Sequence, residues 1–184
     1  NIPYILGFMF GFFCRLNPSF TKTINTDNLF LSLEKNISKN TREIQTTQNP
    51  SKILAAKHSQ KAIFFLSSGH LYGSACLGSG LVTRWAKTLS FSLSLPEANH
   101  YLSDLLTFPS KVLAEYQFII LDSDLYSQAT KKQIEAARKT LSDRRISYTL
   151  IKADTQDWFE QIYESVVFLS FFSYYLSITN KVKN

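Results

Sequence analysis

Residues 61–80 read KAIFFLSSGHLYGSACLGSG. An unbroken apolar run of strand length passes through two serines and a glycine into a helical stretch built of small residues. A strand with one wet face alternates apolar and polar residues. A strand buried on both faces does not, so this run predicts a parallel sheet covered by helices. The rhythm recurs in SFSLSLP (90–96), YQFIILDS (116–123) and ISYTLIKA (146–153). Each is followed by a helical pattern, clearest over 127–143, where Ala, Ile and Leu share one face and Lys, Arg and Gln the other. Strand–helix alternation at this spacing predicts a three-layer α/β/α sandwich, flavodoxin-like, with a parallel sheet of four or five strands.

The flanks divide the chain in two. Residues 1–49 read as an N-terminal helix (2–16) and a polar stretch, which is either a linker or a short surface helix around Leu29-Phe30-Leu31. Residues 50–184 read as the α/β domain. Asn49 and Pro50 suit the cap and first turn of its opening helix. The last helix, about 157–180, is apolar nearly all round and must be sandwiched between partners. Residues 2–14 and 165–180 carry no charge, but each is shorter than the roughly 18–20 apolar residues a bilayer needs. Both read as buried helices, with no membrane role.

With 45% hydrophobic and 18% charged residues in 184, the composition is that of one globular domain. The net charge of +6 admits a polyanionic partner. The basic residues are scattered, however, and the densest pairs, Lys131-Lys132 and Arg144-Arg145, fall on a solvated helix. Nucleic acid is therefore not the expected partner. Cys14 and Cys76 show neither disulfide nor metal spacing, which suits two buried free thiols in the cytoplasm. The chain begins with Asn and reads as a piece of a longer protein.

In an open α/β sheet, ligands sit outside the carboxyl ends of the strands. The loops there would be Ser67-Ser68-Gly69-His70, then Pro96 to His100, then Asp122-Ser123-Asp124, then Asp154-Thr155. The first loop offers hydroxyls and backbone N–H groups that can hold a phosphate. It matches neither a Walker A loop, GxGxxG nor GxSxG, and a tight turn leading into a small, packed helix face explains it as well. Asp122 and Asp124 read chiefly as part of a cap for the helix starting near Ser127. No cluster has metal-ligand spacing. LPEANHYL (95–102) stays open on residue chemistry alone. Pro96 and Glu97 suit a helix start, and Glu97 with His100 suits acid–base chemistry.

Arg84-Trp85, Pro96-Glu97-Ala98-Asn99-His100 and Tyr175-Leu176-Ser177, in this order on this alternation, resemble the C-terminal sugar-isomerase (SIS) domain of the bifunctional phosphoglucose/phosphomannose isomerases. Residues 2–11, IPYILGFMFG, resemble the helix preceding that domain. The resemblance implies aldose–ketose isomerisation of glucose 6-phosphate or mannose 6-phosphate to fructose 6-phosphate through an enediol, with no metal and no organic cofactor. It implies that His100 assists ring opening, and that a lysine near the C-terminus, Lys181 or Lys183, contributes. Ser67, Ser68, Gly69, His70, Arg84 and Glu97 are the expected substrate-binding residues. It further implies a homodimer and an N-terminal SIS domain that holds the phosphate. The family's proton-moving glutamate lies between its Arg-Trp and Pro-Glu elements, and residues 86–95 contain no acidic residue. The alternative is therefore a sugar-phosphate-binding or dimerisation module without catalysis.

Overall fold

A computed structural model describes residues 2–17, 24–107, 109–153 and 155–182. Four strands, β1 (Ala62–Ser67), β2 (Ser90–Ser94), β3 (Tyr116–Ser123) and β4 (Tyr148–Ala153), form a wholly parallel sheet in the order β2-β1-β3-β4. The register sets Phe65 beside Ser92 and Ile119, and Ile120 beside Leu150. β1 and β3 are the inner strands, which is why their sequences are the unbroken apolar runs. Ile63, Phe65, Phe118 and Ile119 are completely buried. β2 is an edge strand whose alternation runs against burial, with Ser90 buried and Phe91 exposed.

The helices are α1 (Ile2–Leu16), α2 (Thr26–Asn40), α3 (Pro50–Lys57), α4 (Tyr72–Ala86), α5 (Leu102–Leu105), α6 (Gln128–Asp143) and α7 (Trp158–Thr179). β1–α4–β2 steps to one side of β1, and β3–α6–β4 steps to the other. Right-handed crossovers in opposite directions place α4 and α6 on opposite faces of the sheet. α7 packs on α4, α3 and α2, whereas α6 meets α5 and the turn at 97–100. This is the predicted three-layer sandwich with four strands. The β2–β3 connection uses two 3₁₀ turns (Glu97–His100 and Ser110–Glu115) around the single-turn α5.

Local chemistry starts the helices where the sequence placed them. Asn49 Oδ1 accepts from Lys52 N, Ser127 Oγ from Thr130 N, and Asp157 Oδ1 from Phe159 N and Glu160 N. The cap of α6 is thus Ser127 itself. Asp122 Oδ1 instead accepts from Ser123 N, and Ser123 Oγ accepts from Leu125 N. α7 is apolar and long enough, by length and composition, to cross a bilayer. Here its Val166, Leu169, Phe172 and Leu176 lie in the core. Gly78 lets α4 approach it closely: a Cβ there would lie 2.8 Å from Leu169 Cδ1. The small-residue stretch after Gly69 is therefore a packing face.

Three expectations change. Over residues 7–16, where its side chains are described, α1 is not buried: Phe8 and Leu16 are 74% and 64% exposed, and the Phe10 ring lies 5.5 Å from that of Phe159. The thiols are not buried either, because Cys76 is exposed on the solvent side of α4 and Cys14 is half-buried. The polar stretch before Pro50 holds a full 15-residue helix, α2. It is fastened to the domain by Tyr175 Oη donating to Asn40 O at 2.7 Å, and by Ser51 Oγ donating to Asn40 Oδ1 at 2.5 Å.

Candidate functional site

The chain leaves β1 toward β2 on one side, and β3 continues to β4 on the other. The crevice of this sheet therefore lies between the carboxyl ends of β1 and β3. Ser67, Ser68, Gly69 and His70 form one wall and the loop from Ser123 to Tyr126 the other. This loop follows β1 directly, and Gly69 has the positive φ (50°) that suits glycine.

Tyr126 spans the crevice. Its hydroxyl donates to Ser68 O at 2.7 Å, Ser68 N points back at it at 3.4 Å, and its ring centroid lies 5.2 Å from that of His70. Burial, helped by the nearby Asp122 carboxylate, pushes its phenol well above its ordinary pKa, so it remains a neutral donor. Ser68 Oγ is also engaged, donating to Leu95 O at 2.8 Å. Ser67 Oγ, fully buried, has no hydrogen-bond partner among the described residues.

Behind this wall lies Gln161, which the sequence reading missed because it sits in a helix dominated by apolar residues. Its Nε2 donates to Thr155 O (2.7 Å) and Ala153 O (3.3 Å). Its Oε1 accepts from Ser123 Oγ (2.5 Å) and faces His70 Nε2 (2.8 Å). The ends of β1, β3 and β4 are thus tied to one buried amide. The only signal in the sequence was a lone glutamine one turn after Asp157.

The corner LPEANH emerges from β2 at the same edge of the sheet, after a cis Leu95–Pro96 bond. Ala98 is buried and anchors it. Asn99 Nδ2 donates to Gln133 O and Oε1, both at 2.9 Å, fixing the turn on α6. Glu97 Oε2 accepts from Ser94 Oγ at 2.9 Å. Its own backbone N–H, that hydroxyl and the neighbouring His100 hold its carboxyl below the ordinary range. Glu97 is therefore an anion fastened to its turn. His100 is exposed, leaving its imidazole open to a ligand at the carboxyl edge.

Two other expected residues lie elsewhere. Arg84 is exposed in the last turn of α4, just before β2 begins, and so sits at the amino edge of the sheet. Lys181 follows α7 at that same edge, where Asn180 bonds Ser59, Gln60 and Thr88, the residues leading into β1 and β2. Neither shares an edge with His100 in one chain. Lys183 and Asp154 lie outside the described residues. Among the described residues, no three His, Cys, Asp or Glu side chains are grouped to hold a metal.

Comparison with known proteins agrees with this architecture. The structure superposes on the C-terminal domain of glucosamine-fructose-6-phosphate aminotransferase from Francisella tularensis with a TM-score of 0.61 at 12% identity, covering 84% of this chain and 44% of that one. It superposes on glucosamine-6-phosphate deaminase from Thermotoga maritima with a TM-score of 0.55 at 12% identity, covering 82% and 43%. The chain spans less than half the length of either protein. At such identity the likeness is one of fold. No curated protein matches the sequence. Residues 47–183 match the family model of the bacterial phospho-glucose isomerase C-terminal SIS domain, leaving α1 and α2 outside the match. The parallel sheet, the crevice between β1 and β3, and this match over most of the chain place the protein in the family of bacterial phospho-glucose isomerase C-terminal SIS domains.

Proposed function

We propose that this domain takes part in the aldose–ketose isomerisation of glucose 6-phosphate or mannose 6-phosphate to fructose 6-phosphate through an enediol. His100 assists opening of the sugar ring. The observation that carries the reading is an exposed imidazole at the carboxyl end of β2 in a chain of this family. Imidazole exchanges protons near neutral pH, as ring opening requires. Ser67, Ser68, Gly69 and His70 line the sugar side of the site, and the anionic Glu97 fixes the turn beside it. The phosphate is held by an N-terminal SIS domain of the longer protein, in the cytoplasm. Arg84 and Lys181, at the opposite edge, join such a site only when a second copy supplies them, so the reading carries a homodimer with it. Turnover of glucose 6-phosphate by the full-length protein, wild type against His100→Ala, tests the role. We expect a loss of about a hundredfold or more, and unchanged turnover removes His100 from the reaction.

A second reading rests on two observations. Residues 86–95 carry no carboxylate to move the C1–C2 proton, and Tyr126 already occupies the polar groups of Ser68. The domain would then bind sugar phosphate, or dimerise, without turning substrate over. Thermal stabilisation by fructose 6-phosphate with no product formed would select this reading.

A further inference from the structure

A cleft of about 820 Å³ opens away from the β1–β3 crevice, between α2, the carboxyl end of β4 and the first turns of α7. Its two sides carry opposite charge. α2 contributes Lys35 and Lys39, one turn apart on the same face. α7 contributes Glu160 and Glu164. Among the described residues, no ion pair or side-chain hydrogen bond engages Lys35, Lys39 or Glu160, although all three line the same space.

The walls are held in place. The Ser32 hydroxyl donates to the Glu164 carboxylate, and Asn36 Nδ2 donates to Glu164 O at 3.3 Å, clamping α2 against α7. The floor is fixed by the buried Gln161 amide on the carbonyls of Ala153 and Thr155. Thr155 lines the cleft, and its buried hydroxyl has no partner among the described residues. Glu164 is thus spent on the clamp and Asp157 on capping its own helix. Glu160 is left as the carboxylate open to the cleft. Burial, Asp157 and Glu164 all push its pKa up, and a cation placed beside it relieves that cost.

We infer that this cleft is a second binding site, for a small zwitterion that sets an ammonium group against Glu160 and an anionic group against Lys35 and Lys39. A lone anion would meet the carboxylates, and a lone cation would meet the lysines. Only a ligand bearing both charges satisfies both walls. The site lies on the outer side of β4, apart from His100, and does not depend on isomerase activity.

Isothermal titration of the intact chain with three probes tests this. Glucosamine 6-phosphate carries an amine, hydroxyls and a phosphate. Glucose 6-phosphate lacks the amine, and glucosamine lacks the phosphate. We expect the first to bind at least about tenfold more tightly than either of the others. Glu160→Gln should erase the preference over glucose 6-phosphate, and Lys35→Gln with Lys39→Gln the preference over glucosamine. These are surface changes that leave the clamp intact, and the preference for glucosamine 6-phosphate should survive His100→Ala, whatever that change does to glucose 6-phosphate binding at the isomerase site. Equal affinity for the three probes, no saturable binding, or a preference that survives Glu160→Gln overturns the site. Loss of that preference in His100→Ala also overturns it, because the amine would then be read at the carboxyl end of β2. Failure of the isomerase reading leaves the Glu160-dependent preference in place.

Discussion

His70 Nε2 lies 2.8 Å from Gln161 Oε1, across ninety-one positions of sequence. The Gln161 amide orientation is set by its other contacts, because Nε2 donates to two carbonyls. Oε1 therefore faces His70, and His70 must carry its proton on Nε2. One buried amide thus selects the tautomer of an imidazole in the β1–β3 crevice.

Replacing that amide should show its weight. Gln161→Leu keeps the volume but strands the Ser123 hydroxyl, the His70 N–H and two carbonyls. Losing a buried network of this kind costs about 2–4 kcal/mol. Urea unfolding of wild type and variant, compared at equal m-value, checks the size. A change below about 0.5 kcal/mol would mean that water replaces the amide.

Tyr126→Phe removes the hydroxyl that donates to Ser68 O and should cost about 1 kcal/mol. The sign of its pH effect follows from its raised pKa. Above the ordinary phenol value near 10, the unfolded chain releases a proton that the folded chain retains. Stability falls as pH rises through that range, and part of the fall should vanish in Tyr126→Phe. Phenolate absorbance, followed alongside unfolding, measures both.

His58 has the opposite dependence. Its ring is fully buried, with Nε2 3.1 Å from Thr149 Oγ1 and an edge contact to Phe172. Burial, reinforced by the neighbouring Lys57, pushes its pKa down from 6.5 to about 4. Above about pH 6.5 both folded and unfolded chains are neutral there, and the group adds no slope. Between 6.5 and 4 the unfolded chain binds a proton that the folded chain refuses. Stability should therefore drop by about 3 kcal/mol on acidification through this window and level off below it. His58→Gln should flatten that slope in a pH series of thermal midpoints.

Gly78→Val tests the α4–α7 contact. A Cβ alone would sit 2.8 Å from Leu169 Cδ1, and Leu169 is itself buried. Overpacking of this kind costs roughly 1–3 kcal/mol. Gly80, with open space around its Cβ position, is the control, and Gly80→Ala should be neutral or slightly stabilising. Equal behaviour of the two variants would refute the close approach.

Much of this protein could be read along the chain, because the signals are short-range. Burial on both faces erased the alternation of β1 and β3. Helix starts were visible at Asn49, Ser127 and Asp157 because a cap bonds within three residues of itself. The open crevice then followed from strand order, which placed Ser67–His70 and the Pro96–His100 corner at one edge.

What the sequence could not reveal is set by contacts between distant positions. Ser68 meets Tyr126 over fifty-eight residues and His70 meets Gln161 over ninety-one, so no local period marks either pair. The exposure of α1 and of Cys76 likewise depends on which helix face finds a partner, and apolar character alone does not choose it. Arg84 and Lys181 read as site residues, and helix direction sets them at the opposite edge of the sheet from the corner. Periodicity determined the layers. Only packing across the sheet decided which polar groups face each other, because each such contact must be the one geometry that satisfies a buried donor or acceptor.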